Sequence, residues 1–139
     1  MASLRGGCLC GSIRYSSEAE PVLTAICHCR NCQKQTSAAF SIVVAVPKGS
    51  LRIEGPTLKT FGDVGDSGQP VKRNFCGNCG SPIMSYVEAM PELEFIKAGT
   101  LDDTAWLDPT LELWCETAQP WVRIDQARAQ VPRNPPLGG

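Results

Sequence analysis

Phe40-Ser41-Ile42-Val43-Val44-Ala45-Val46 is the most β-prone run of the 139-residue chain, and Pro47-Lys48-Gly49 closes it with a turn signal. It reads as a central strand. Upstream, residues 12–16 alternate apolar and polar in the manner of a half-buried strand, and residues 22–26 form a second extended stretch after the Glu/Pro break at 18–21. Downstream, residues 51–54 and 58–61 alternate, a loop is expected over 62–70, and residues 71–75, 82–86, 93–98 and 111–114 follow as further strands. Only Gln33-Lys34-Gln35-Thr36-Ser37 suggests a turn or short helix. No stretch keeps a helical period, and 13 glycines with 11 prolines punctuate the chain at strand-like intervals. The expected fold class is mainly β, a meander of short antiparallel strands.

The length suits one domain with a real hydrophobic core, expected over residues 1–130, followed by a Pro/Gly-rich tail over 131–139 that is loosely ordered or draped on the surface. Thirteen basic against fourteen acidic residues leave a net charge of −1, which offers no electrostatic footprint for nucleic acid or an anionic membrane. The N-terminal residues lack the apolar core of a secretory signal, and the longest apolar-rich run, 38–47, is too short to span a bilayer, so a cytoplasmic location is expected. In a reducing compartment, eight cysteines point to metal ligation rather than disulfides.

Seven of the eight fall into three groups: Cys8 with Cys10, the triplet in Cys27-His28-Cys29-Arg30-Asn31-Cys32, and Cys76 with Cys79. In an extended segment residues two apart share a face, so Cys8 and Cys10 would present both sulfurs to one ion while Leu9 points away. In C-x-x-C the chain turns so that two thiolates reach one zinc while backbone N–H groups donate to the sulfurs, and Gly77 and Gly80 suit the close approach. One partition makes a closed four-sulfur site from Cys8, Cys10, Cys76 and Cys79 and leaves the triplet as an open three-sulfur site. A second pairs two triplet cysteines with Cys76 and Cys79 and leaves Cys8 and Cys10 for packing or redox. A structural zinc takes four protein ligands and a catalytic one takes three, so the first partition carries a functional implication.

His28, the only histidine, would project away from an ion held by its neighbours and become an outer-shell or exposed residue. Cys115 reads as an inert packing residue, and Trp106, Trp114 and Trp121 as core. Arg30, Lys34, Lys48, Lys72 and Arg73 are candidates to receive carboxylates, each more simply read as solvated surface charge.

Gly6-Gly7-Cys8-Leu9-Cys10-Gly11-Ser12-Ile13-Arg14-Tyr15, the triplet, Phe75-Cys76-Gly77-Asn78-Cys79-Gly80 and Ala98-Gly99-Thr100-Leu101-Asp102 together resemble the glutathione-dependent formaldehyde-activating enzyme family, which also includes centromere protein V. The resemblance implies a β-tent fold of coiled antiparallel strands. It also implies a structural zinc on Cys8, Cys10, Cys76 and Cys79 and a second zinc on Cys27, Cys29 and Cys32, two per chain. The implied activity is carbon–sulfur lyase-like, condensing formaldehyde with glutathione to S-hydroxymethylglutathione. Family members often carry glycine where this chain has Ser37.

A zinc bearing three thiolates is a soft electrophile, which favours binding a substrate thiol over activating water for hydrolysis. The expected partner is therefore a small thiol such as glutathione, with a homodimer possible. A non-enzymatic zinc- or glutathione-binding module is the rival reading.

Overall fold

The computed structural model describes residues 3–65 and 68–135. Its elements are β1 (Leu4–Gly7), β2 (Arg14–Ser17), β3 (Leu23–Cys27), α1 (Arg30–Thr36), β4 (Ser41–Pro47), β5 (Leu51–Glu54), β6 (Leu58–Val64), β7 (Pro70–Cys76), β8 (Pro82–Val87), β9 (Leu93–Lys97), β10 (Leu111–Leu113) and β11 (Ala129–Gln130). Among the described residues they form a three-stranded sheet, β1-β2-β5, and an eight-stranded sheet, β11-β10-β3-β4-β9-β8-β7-β6. The fold is mainly β, as the strand patterns indicate.

The run over residues 40–46 became the expected central strand, β4, hydrogen-bonded to β3 on one side and β9 on the other. Its lack of alternation has a physical cause: both faces are covered. Val44 and Val46 are fully buried on one face, where they join Met84 and Ile96 and pack against Leu4 and Tyr15 of the small sheet and Ile13 just before β2. Burying side chains of this kind contributes roughly 1.5–3 kcal/mol each. Val43 and Ala45 lie on the other face, in a second cluster with Ala25, Cys27, Phe95 and Leu113. That second face bears the site described below.

The meander is real over β6 to β9, where each strand pairs antiparallel with the next. Its β6–β7 connection is shorter than the 62–70 loop anticipated, because β6 runs on to Val64 and β7 begins at Pro70. β10 departs from the antiparallel scheme, running parallel to both β3 and β11. From residue 131 the chain stays tied to this edge, since Val131 N–H donates to Glu112 and the N–H groups of Trp114 and Cys115 donate to Arg133 and Val131. Residues 136–139 lie outside the described residues. No helix among the described residues is long and apolar enough to cross a membrane.

The polar stretch after the triplet is the one α-helix among the described residues. Cys29 caps it by accepting the backbone N–H of Cys32 at 3.2 Å, and Ser37 ends it in the left-handed region at φ 56°, ψ 38°. That conformation costs an ordinary residue roughly 1–2 kcal/mol and glycine little, while glycine loses about 0.5–1 kcal/mol more in chain entropy. Ser37→Gly should therefore raise unfolding free energy by about 0.5 kcal/mol, read as a higher denaturant midpoint at unchanged slope.

Candidate metal centres and the adjoining cavity

The small sheet and the β7–β8 turn meet at four sulfurs. Cys8, Cys10, Cys76 and Cys79 place their Sγ atoms within 4.8 Å of one another. Cys8 and Cys10 do not converge through strand alternation, as the spacing had suggested. β1 ends at Gly7, and the pair sits on a turn that brings Cys8 Sγ to 3.6 Å from Cys10 Sγ. Each knuckle ends on a glycine with positive φ, Gly11 at 83° and Gly80 at 82°, a conformation that bends the chain back without a Cβ penalty. Leu9 points away and is 88% exposed.

Hydrogen bonds around Cys76 suit a thiolate. Burial raises the pKa of this thiol, but Thr57 Oγ1 at 3.2 Å, the backbone N–H groups of Cys79 and Asn78, and Ser12 Oγ together bring it below the ordinary cysteine range. N–H groups donating to knuckle sulfurs favour metal ligation. The set staples two segments more than sixty residues apart, with Cys8 and Cys76 buried, Cys79 half-buried and Cys10 exposed.

The triplet forms at the end of β3. Cys27 is its last residue, Cys29 caps α1 and Cys32 lies in the first helical turn, so three sulfurs fall within 4.8 Å of one another. Cys76 and Cys79 belong to the other cluster, so the pairing of triplet cysteines with them is not what the fold builds. Cys115 does not join either group, and its Sγ lies 3.5 Å from the Glu112 carbonyl.

A donor set can be tested for its fit to a cation by how it carries charge alone. Hydrogen bonds from Cys27 and Cys29 hold the Cys32 thiol far below its ordinary value, against burial and helped by the charges of Lys97 and Arg73. Hydrogen bonds with Cys29 and Cys32, together with burial, push Cys27 well above its own. A divalent cation among the sulfurs would let all three ionise, and soft thiolates within 4.8 Å of one another are a donor set that such an ion takes. Each cluster can hold a metal ion.

The triplet lines a cavity on the second face of the large sheet, with about 100 Å³ reachable by the centre of a water molecule. Roughly 10–15 Å³ on that measure holds one water, so the space admits a compact ligand group. Val43, Val71, Val87, Met90, Phe95 and Leu113 wall it, and Trp114 and Asn134 stand at its side. Trp114 adopts the left-handed conformation at φ 57°, unusual for a bulky residue, and its Nε1–H donates to Asn134 Oδ1 at 2.8 Å.

The family model described as glutathione-dependent formaldehyde-activating enzyme matches residues 3–117, a span containing all seven clustered cysteines. The chain belongs to that family. Relatives provisionally described by the same name include proteins of Aspergillus flavus and Aspergillus oryzae, each 27% identical over 116 residues, or 78% of this chain and 60% of the relative. Another, from Aspergillus terreus, is 30% identical over 86 residues, covering 60% of this chain and 44% of its own. The chain thus spans about 60% or less of the length of these curated relatives. A crystal structure of a Rhodobacter sphaeroides protein shares the fold, with a TM-score of 0.57 at 19% identity over 76% of this chain and 91% of that one.

Within this family member, His28 turns away from the triplet as expected, but it is buried rather than exposed. Its Nε2 lies 2.6 Å from Glu112 Oε1, and Glu112 Oε2 accepts from Arg128 at 3.0 Å. The reason is the two-residue period of β3, which sends Ile26 and His28 to the face opposite Cys27. There β10 supplies Glu112, which is 1% exposed. Removing one partner from such a network leaves charge uncompensated, so Glu112→Gln should lower unfolding free energy by about 3 kcal/mol, measured by urea denaturation.

Two residues that matter at the cavity went unnoticed as functional candidates. Lys97 is 5% exposed, and its Nζ donates at 2.9 Å to Ser41 Oγ, the residue paired with Cys27 across β3 and β4. Ser85 is 5% exposed, and its hydroxyl has no hydrogen-bond partner among the described residues. For Lys97 the signal was present as parity: Leu93, Phe95 and Lys97 share one face of β9, so a charge stands on the apolar register. Arg73 breaks parity in the same way on β7, and burial to 7% overturns its reading as solvated charge. It is held by Asp63 at 3.0 Å and Gln35 at 3.2 Å. Trp121 errs in the other direction, lying 71% exposed in a turn after Pro120 rather than in the core.

Proposed function

We propose that this protein forms and cleaves the carbon–sulfur bond between a small thiol, such as glutathione, and an aldehyde, such as formaldehyde, in a zinc-dependent, lyase-like reaction. The observation that carries this reading is the contrast between the clusters: four sulfurs, a full tetrahedral complement of ligands, and three that line a cavity. Cys8, Cys10, Cys76 and Cys79 would hold a structural zinc, and Cys27, Cys29 and Cys32 a second. An open zinc site of three thiolates supplies a position where an incoming thiol binds and loses its proton.

The chain's own residues account for the rest. The apolar cavity walls exclude bulk water from the reacting sulfur, which favours addition to a carbonyl over hydrolysis. As the sulfur lone pair forms the C–S bond, the carbonyl π pair moves to oxygen, and that oxygen takes back the proton the thiol released. Lys97, held at Ser41 beside Cys27, places a positive hydrogen-bond donor where this negative charge develops. The reverse reaction retraces these steps.

The relatives' description supports the choice of glutathione and formaldehyde. Charge, composition and the family support a small-molecule partner in the cytoplasm, with no nucleic acid or membrane; a homodimer is compatible with them. Exchange between free glutathione, formaldehyde and their adduct, followed by NMR exchange spectroscopy, should be faster with zinc-loaded protein than without. An exchange rate equal to the spontaneous one would leave a binding role and remove the catalytic one.

A further inference from the structure

The outer edge of the large sheet is open. Among the described residues β6 pairs with β7 on one side only, and along it Lys59, Thr60, Phe61, Gly62 and Val64 are exposed, Phe61 to 59% and Val64 to 60%. Which backbone groups face out follows from the register. Gly77 N–H donates to the Thr57 carbonyl and Gly65 N–H to that of Gln69, at the two ends of the β6–β7 ladder. Hydrogen-bonded pairs alternate in an antiparallel ladder, so the odd-numbered residues of β6 are bonded to β7 and the even-numbered ones point away from it. Of the outward N–H groups, that of Leu58 donates to the Gly55 carbonyl and that of Val64 to Asp63 Oδ1. Those of Thr60 and Gly62, on either side of Phe61, are left without a partner among the described residues.

The side chains single out the same centre. Phe61 and Asp63 stand opposite Arg73 and Val71, both of which line the cavity, so Lys59, Phe61 and Asp63 share the cavity face of β6. A lysine on an edge strand ordinarily repels a second copy. Here Asp63 lies as far beyond Phe61 as Lys59 lies before it, so a copy turned through a half rotation meets each lysine with an aspartate.

We infer that two copies of this chain associate through β6, antiparallel and centred on Phe61. The N–H groups of Thr60 and Gly62 then donate to the carbonyls of the partner's Gly62 and the partner's Thr60, and the partner returns both bonds. Phe61 faces the partner's Phe61 in a non-hydrogen-bonded pair, where side chains lie closest, and Lys59 faces the partner's Asp63. Centring on Thr60 or Gly62 instead would set Phe61 against Lys59 or Asp63 and pair neither charge with its opposite. The two large sheets become one continuous sheet with both cavities on the same face. The partner's Lys59 stands at the carboxylate that holds Arg73 in the cavity wall. This association does not depend on the thiol–aldehyde chemistry.

Sedimentation velocity of zinc-loaded protein over a broad concentration range tests it. One strand from each copy makes an interface at the small end of specific ones, so a dissociation constant of about 1–100 μM is expected. Two variants assign the face. Gly62→Pro removes an outward N–H and no bond to β7. Gly62 lies outside the left-handed region, a Cβ there would meet no atom within 4 Å, and proline is tolerated where a strand N–H faces solvent. Lys59→Glu keeps a long exposed side chain and sets like charges opposite one another at both ends of the pairing. Gly62→Pro should stay monomeric, and Lys59→Glu should dimerise at least about tenfold more weakly than wild type, while both keep its circular dichroism spectrum. If Gly62→Pro does not fold, Lys59→Glu decides alone. A wild-type protein that stays monomeric up to about 500 μM, well above the expected constant, or dimerisation of wild-type strength in either folded variant, overturns the inference.

Discussion

Cys76→Ser should fail to give a cooperatively folded domain. Cys76 is fully buried between the sheets, and its sulfur receives the hydrogen bonds of Thr57, Cys79 and Asn78 while standing 3.8 Å from Cys10 Sγ. Structural zinc binding is worth about 10–16 kcal/mol in small metal domains. The whole net stability of a domain is about 5–15 kcal/mol, so loss of this site exceeds what the apolar core can offset. Cys8 and Cys76 belong to the same apolar core as Ile13, Ile83, Val44 and Val46, so the four-sulfur cluster is built into the packing between the two sheets. Far-ultraviolet circular dichroism through a thermal ramp checks the point. The variant should show no sigmoidal transition, and wild-type protein stripped of metal under denaturing conditions should refold only when zinc is restored. A cooperative transition in Cys76→Ser would mean that the core alone holds the two sheets together.

Cys32→Ser should have the opposite profile, with the fold kept and the chemistry lost. The cap that starts α1 uses the backbone N–H of residue 32 and the sulfur of Cys29, neither of which the substitution removes. Thr36 Oγ1 also continues to bond the carbonyl of residue 32 at 2.8 Å. The cost in stability should be about 1–2 kcal/mol, typical of a conservative change at a buried site. Thiol–aldehyde exchange should fall by about 100-fold or more, because removing an outer-shell partner of a metal already costs 10–100-fold and a ligand stands closer than that. Exchange spectroscopy beside a denaturation curve on the same sample separates the two effects. A variant that exchanges at the wild-type rate would place the reaction away from the triplet.

Much of the fold was legible because several strands announce themselves by alternation, and β4, an unbroken apolar run, lacks it for the reason that makes it central. The knuckles were legible because C-x-C and C-x-x-C constrain local geometry. Less legible was whatever depends on two distant segments meeting. Nothing near His28 in sequence indicates that Glu112 and Arg128 will close around it, since β10 reaches β3 through a parallel pairing over more than eighty residues. Arg73 and Lys97 carry charge at apolar parity, a signal of function that local reading of charge as solvated surface discards. Ser85 gives no signal of its own: its importance lies in a missing hydrogen bond, which only the packed structure reveals. Cys8 and Cys10 were paired for the wrong geometric reason, since a turn rather than a strand brings their sulfurs together.

The proposed function rests on two zinc sites of different character, one of four sulfurs and one of three. Elemental analysis combined with zinc-edge X-ray absorption, on wild type and Cys32→Ser together, tests that most directly. The account predicts about two zinc ions per wild-type chain and one in the variant, the remaining ion showing four sulfurs at about 2.3 Å. One zinc in both proteins, or a variant whose single zinc has fewer than four sulfurs, would contradict it.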